Sequence, residues 1–103
     1  MKTWITLAAT LALAGTAQSA LAQADLAKAK NCMACHNVST KVVGPAFKDV
    51  AAKYAKDADA ATRLAQKIQK GSQGAWGPVP MPPNPQVSDA EAQSLAKWVL
   101  AQK

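Results

Sequence analysis

From Ala24 onward the apolar positions recur with helical spacing, and one long stretch breaks that rhythm. Ala24-Asp25-Leu26-Ala27-Lys28-Ala29-Lys30 is made of strong helix formers, with an acid early and bases late. Asn37 to Gly44 reads as a loop, and Gly44-Pro45 predicts a second helix with Pro at its first position. Phe47, Val50, Ala51 and Tyr54 then fall at i, i+3, i+4 and i+7, on one apolar face. Asp57-Ala58-Asp59 reads as the turn and cap before a third helix, lined on one side by Ala61, Leu64, Ala65 and Ile68. Lys67 and Lys70 come late in that helix, and Gly71 is its stop. Ser72 to Pro85 excludes helix and central strand, because Gly74 and Gly77 alternate with Pro78, Pro80, Pro82, Pro83 and Pro85. Ser88-Asp89-Ala90-Glu91 is a capping box that opens a last helix to about Gln102. Ala92, Leu95, Ala96 and Val99 form its inner face, with Trp98 beside them. The pattern predicts an all-α chain of about four helices and one stiff loop.

The front of the chain follows another rule. Met1-Lys2-Thr3 is a short positive leader, and Trp4 to Gly15 is an apolar run shorter than a membrane span needs. Ala20-Leu21-Ala22 and Ala22-Gln23-Ala24 both fit an Ala-x-Ala cleavage site, so residues 1–22 read as a signal peptide and 23–103 as the working domain. Export to the periplasm follows, with no stable membrane insertion after processing. Cutting after Ala22 leaves 81 of the 103 residues, and cutting after Ala24 leaves 79. A chain that short buries a marginal core alone. Without the leader, eleven basic side chains face six acidic ones, a net charge of +5. A modest positive charge suits acidic partners and electrostatic steering. Nucleic acid is disfavoured, because the lysines are scattered and no aromatic-basic cluster marks a surface.

The chemistry is concentrated in Cys32-Met33-Ala34-Cys35-His36. Cys-x-x-Cys-His is the mark of covalent c-type haem attachment. Two thiols about one helical turn apart can add to the two vinyl groups of one porphyrin, and the histidine that follows is carried to the iron. A redox dithiol would open a helix after a strand, and no such strand is predicted. A structural zinc wants four ligands, whereas two Cys and a single His make three. A disulfide closing so short a loop removes little chain entropy. One covalently bound haem also supplies a large apolar body for the helices to pack on.

An iron held by His36 has a sixth position. Met33 is pinned between the haem cysteines and Met1 lies in the leader, which leaves Met81, stiffened by Pro80, Pro82 and Pro83. A His/Met pair raises the reduction potential and suits one-electron transfer. The alternative is an open or labile sixth site, giving a haem sensor or peroxidase-like enzyme. A haem-free thiol protein is a third possibility.

Several stretches carry a family likeness: Cys32 to His36, Val43-Gly44-Pro45-Ala46, Lys70 to Pro78, Met81-Pro82-Pro83-Asn84, and Leu95 to Leu100. Over essentially the whole working domain the chain resembles the small bacterial class I cytochromes c of the cytochrome c-551 group. The resemblance implies an all-α class I fold of about four helices wrapped on one haem c, and a monomeric periplasmic electron carrier that is not an enzyme. It implies that the Pro45 carbonyl accepts the other ring N–H of His36, that Asn84 hydrogen-bonds near the Met81 sulfur, and that the Trp76 indole reaches a haem propionate. The family often has Arg where Lys67 stands; Lys offers a point charge to a propionate in place of a rigid fork. Redox partners would dock at the exposed haem edge, and the likeness suggests a terminal reductase, such as nitrite reductase, or an oxidase as electron acceptor.

Overall fold

A computed structural model describes residues 15–103, with side chains described from Ala20 onward. Apart from Gly15, the apolar run of the leader lies outside the described residues. Four helices run in order: α1 (Gly15–Ala29), α2 (Phe47–Lys53), α3 (Ala60–Lys70) and α4 (Asp89–Leu100). Among the described residues there is no strand, only an isolated antiparallel bridge between Ser72 and Met81.

The helix α4 organises the packing, since each of the other three helices lies against it. Its start is fixed by the expected capping box: Glu91 N–H donates to Ser88 Oγ at 3.2 Å, and Ser88 N–H donates to Glu91 Oε1 at 3.0 Å. Such a cap contributes about 1 kcal/mol. Ala92, Leu95, Ala96, Trp98 and Val99 are all buried, as their spacing predicts. They meet Leu64 and Ala65 of α3, Phe47 and Val50 of α2, and Ala27 of α1 in one core. Lys30, just past α1, ties its end to the approach of α4: its Nζ donates to the Gln86 carbonyl at 3.0 Å and pairs with Glu91 at 3.4 Å.

Three local expectations are corrected. The first helix begins well ahead of Ala24 and ends at Ala29, where Asn31 turns left-handed (φ 65°). Asn tolerates that conformation and closes helices much as Gly does. Pro45 is not the first residue of α2. Ala46 is extended (φ −60°, ψ 142°), and its carbonyl accepts the first helical bonds from Asp49 and Val50. The N–H groups of Phe47 and Lys48, orphans at a helix start, donate to the carbonyls of Asn37 and Val38, each at 3.0 Å. The 37–44 loop therefore caps α2 and leaves the Pro45 carbonyl free for another partner. Asp59 stands at the N-cap of α3 without a side-chain cap bond. Asp57 organises that turn, accepting the Asp59 N–H at 3.0 Å and pairing with Arg63. Gly71 ends α3 as expected, at φ 79°, with its N–H on the Lys67 carbonyl.

Candidate functional site

The helices leave a cavity of about 620 Å³ between the core and the 72–85 loop. That size lies in the range of cofactor pockets. Phe47, Leu64, Leu95, Trp98 and Val99 give it an apolar wall. Cys32, Cys35, His36 and Met81 all line it, so the four side chains singled out in the sequence share one space.

Cys32 opens a 3₁₀ turn, Cys32–Ala34, that follows directly on Asn31, and Cys35 caps its end. The Cys32 carbonyl accepts the Cys35 N–H at 3.3 Å and the His36 N–H at 3.0 Å, so one tight turn carries both thiols and the imidazole. Both thiols are free and half-buried. Burial pushes the Cys32 thiol above its ordinary pKa.

His36 is held from several directions. Its Nδ1 lies 2.7 Å from the Pro45 carbonyl oxygen. A carbonyl only accepts, so Nδ1 carries a proton, and in the neutral imidazole Nε2 keeps a free lone pair. Phe47 stacks on the ring with centroids 4.9 Å apart and 23° between planes. Phe47 in turn meets the edge of Trp98 at 5.3 Å. Gly44 lies so close to the imidazole that a Cβ there would stand 2.5 Å from its Cε1. Gly44 also donates its N–H to the Cys35 carbonyl at 2.8 Å. Gly44 and Phe47 are parts of the site that their sequence positions conceal. Phe47 reads as one more core residue, and the glycine serves for space, not for an unusual φ.

Met81 is half-buried and is fixed by backbone. Its N–H donates to the Ser72 carbonyl at 2.9 Å, and its carbonyl accepts the Ser72 N–H at 3.0 Å. Asn84 pins the same segment to the end of α3. Its Nδ2 donates to the carbonyls of Ile68 at 2.9 Å and Pro82 at 3.2 Å, and its N–H donates to Gln69 at 3.1 Å. Trp76 and Lys67 also line the cavity. Lys67 is half-buried with its Nζ 6.0 Å from the Tyr54 ring, and Trp76 is 38% exposed.

Two thiols on one turn, an imidazole with one nitrogen free, a thioether and an apolar cavity form the donor set of a covalently attached haem. The residues present fit that group. An all-α domain with this site is a small class I haem-c protein.

The sequence comparisons agree. The cytochrome c family profile matches residues 22–103. The chain is 62% identical over 96 residues to cytochrome c-552 of Nitrosomonas europaea, covering 93% of this chain and 90% of that protein. It is 67% identical over 78 residues to cytochrome c-551 of Pseudomonas aeruginosa, covering 76% of this chain and 74% of that protein. The crystal structure of the wild-type Nitrosomonas europaea cytochrome c552 superposes with a TM-score of 0.77 at 66% identity, covering 78% of this chain and 99% of that one. The chain belongs to the cytochrome c family. It is a monohaem electron carrier with covalently bound haem c, and its partners are redox proteins. No helix among the described residues is long and apolar enough to cross a membrane.

Proposed function

We propose that this protein is a periplasmic carrier in which Cys32 and Cys35 hold the haem by thioethers while His36 and Met81 ligate its iron. The observation that carries this reading is the shared cavity, with the His36 tautomer set so that Nε2 can ligate. The bound haem supplies a one-electron Fe(III)/Fe(II) couple; the chain does the rest. Pro45 keeps the proton on Nδ1 and raises the basicity of the imidazole. Phe47 and Gly44 fix its ring plane, so electron transfer needs no movement of the ligand. The apolar wall excludes water. Asn84 steadies the loop beside the Met81 sulfur, and Trp76 and Lys67 offer donors to the propionates.

Electrons cross near Ala34 and the Val79–Pro82 segment. Val79 is 61% exposed and Val43 52%, an apolar patch beside the cavity. Lys41 is exposed and lines the same cavity, and the positive charge of the chain favours brief docking of a monomer on acidic partner surfaces. A terminal reductase such as nitrite reductase, or an oxidase, is the proposed electron acceptor. Processing after Ala22 or Ala24 releases the domain into the periplasm.

The test replaces Met81 with Ala in the holoprotein. The wild type should show the weak far-red sulfur-to-iron band and bind little CO or cyanide; M81A should lose the band and bind both. A wild type that binds these ligands readily identifies a sensor or enzyme instead.

A further inference from the structure

Residues 73–80 hang from the Ser72–Met81 bridge as a lobe that forms part of the cavity wall. Among the described residues, none of the lobe's backbone N–H groups finds a protein acceptor. Its tip, Ala75-Trp76, is flanked by Gly74 (φ 77°) and Gly77 (φ 116°). A Cβ at either glycine would meet nothing within 4 Å, so both are there for conformation, and the tip has hinges on both sides.

Among the described residues, one hydrogen bond from elsewhere in the chain reaches this lobe. Lys53 Nζ donates to the Ala75 carbonyl at 3.0 Å. The same ammonium stands 4.4 Å from the centroid of the Trp76 ring. A single cation thus fixes the backbone of one tip residue and the side chain of the next. Both interactions are of the stronger kinds, a charged donor on a carbonyl and a cation over an indole. Lys53 is also the last residue of α2, the helix whose first residue, Phe47, stacks on His36.

We infer that Lys53 is a positioning residue that latches the lobe to α2 and so keeps the Met81 side of the cavity closed. This rests on the reading of Met81 as the sixth ligand. With the latch gone, the tip swings on its glycines and the loop that carries Met81 is held only by the bridge and by Asn84. Foreign ligands then reach the iron more often.

The test uses the oxidised holoprotein and the variants K53M, K53R and K56M. Lys56 is exposed and makes none of the hydrogen bonds or ion pairs described, so K56M removes the same charge without touching the lobe. Imidazole is added and its rate of binding is measured. K53M should bind about 5- to 70-fold faster than wild type, the factor expected from losing one cation–π contact and one hydrogen bond. K53R, which keeps a cation and a donor, and K56M should match wild type. Hydrogen exchange at the bonded amides of Ser72 and Met81, at the base of the lobe, should quicken in K53M alone. An unchanged K53M, or a rise shared by K56M or K53R, overturns the latch. The far-red band of the wild type reports Met81 ligation separately. If that band is missing, amide exchange still decides whether Lys53 holds the lobe.

Discussion

His36 and Met81 line one cavity, yet they are held by different means. The imidazole is enclosed by side chains and by one close backbone approach: Pro45 on its Nδ1, Phe47 on its ring, Gly44 against it. The thioether has no comparable jacket. Its position comes from the backbone, through two hydrogen bonds to Ser72 and a run of prolines with few conformations to lose. Packing fixes a group in three dimensions, but couples it to the core. Backbone restriction fixes a group with little core contact, and leaves it easier to release. Under the proposed ligation, the packed hold suits His36, and the backbone hold is enough for Met81 because a covalently attached haem stays beside its loop.

This contrast predicts that substitutions on the His36 side should act on global stability. Phe47→Ala should have the largest effect, about 3–5 kcal/mol, because it opens a void that faces both His36 and Trp98. Denaturant unfolding of the holoprotein would measure it; a loss below about 1 kcal/mol would show that the stack is incidental. Gly44→Ala comes next, at about 1–3 kcal/mol from overpacking, with altered electron paramagnetic resonance g-values as the ring turns away from the new methyl. An unshifted spectrum would mean that Gly44 does not set the ring plane. On the Met81 side, Asn84→Ala should lose about 1–2 kcal/mol through the Ile68 and Pro82 carbonyls. It should also speed amide exchange in the loop more than in α4; equal effects on both would erase the distinction between the two sides.

The smallest effect belongs to neither side. Glu91 has its carboxyl held below the usual range, chiefly by the Ser88 backbone N–H and also by Lys30. A depressed folded value stabilises the protein above the ordinary carboxylate pKa of about 4.3, and that stabilisation fades as pH falls through the lower folded value. Glu91→Gln should therefore flatten the acid limb of the stability curve by lowering stability slightly at neutral pH, and leave the acid end nearly unchanged, as read by thermal unfolding between acid and neutral pH.

The elements of this fold were largely legible because their signals are local. A capping box, an apolar face at helical spacing and a glycine stop each act within a few residues, as at Ser88, Phe47 and Gly71. The family itself was legible because Cys32 to His36 is one contiguous run. Two details depend on residues farther away along the chain, and one on a choice between near neighbours. Pro45 looked like a helix opener because nothing near it shows that the carbonyls of Asn37 and Val38 would cap α2. Asp59 looked like a cap, but Asp57 takes the N–H and the arginine. Nothing near Lys53 marks its role, since its partners Ala75 and Trp76 lie more than twenty residues away in the chain.

The last turn of α3 has a further consequence. Three successive carbonyls there, on Lys67, Ile68 and Gln69, are taken by Gly71 and Asn84 and by no later turn of helix. The end of one rod is thereby moored to the strap that bears Met81. On warming, fraying should begin at that end and slacken the strap before α1 and α4 part. Bleaching of the far-red absorbance would then run ahead of the loss of ellipticity, making the pigment an early thermometer of its own protein.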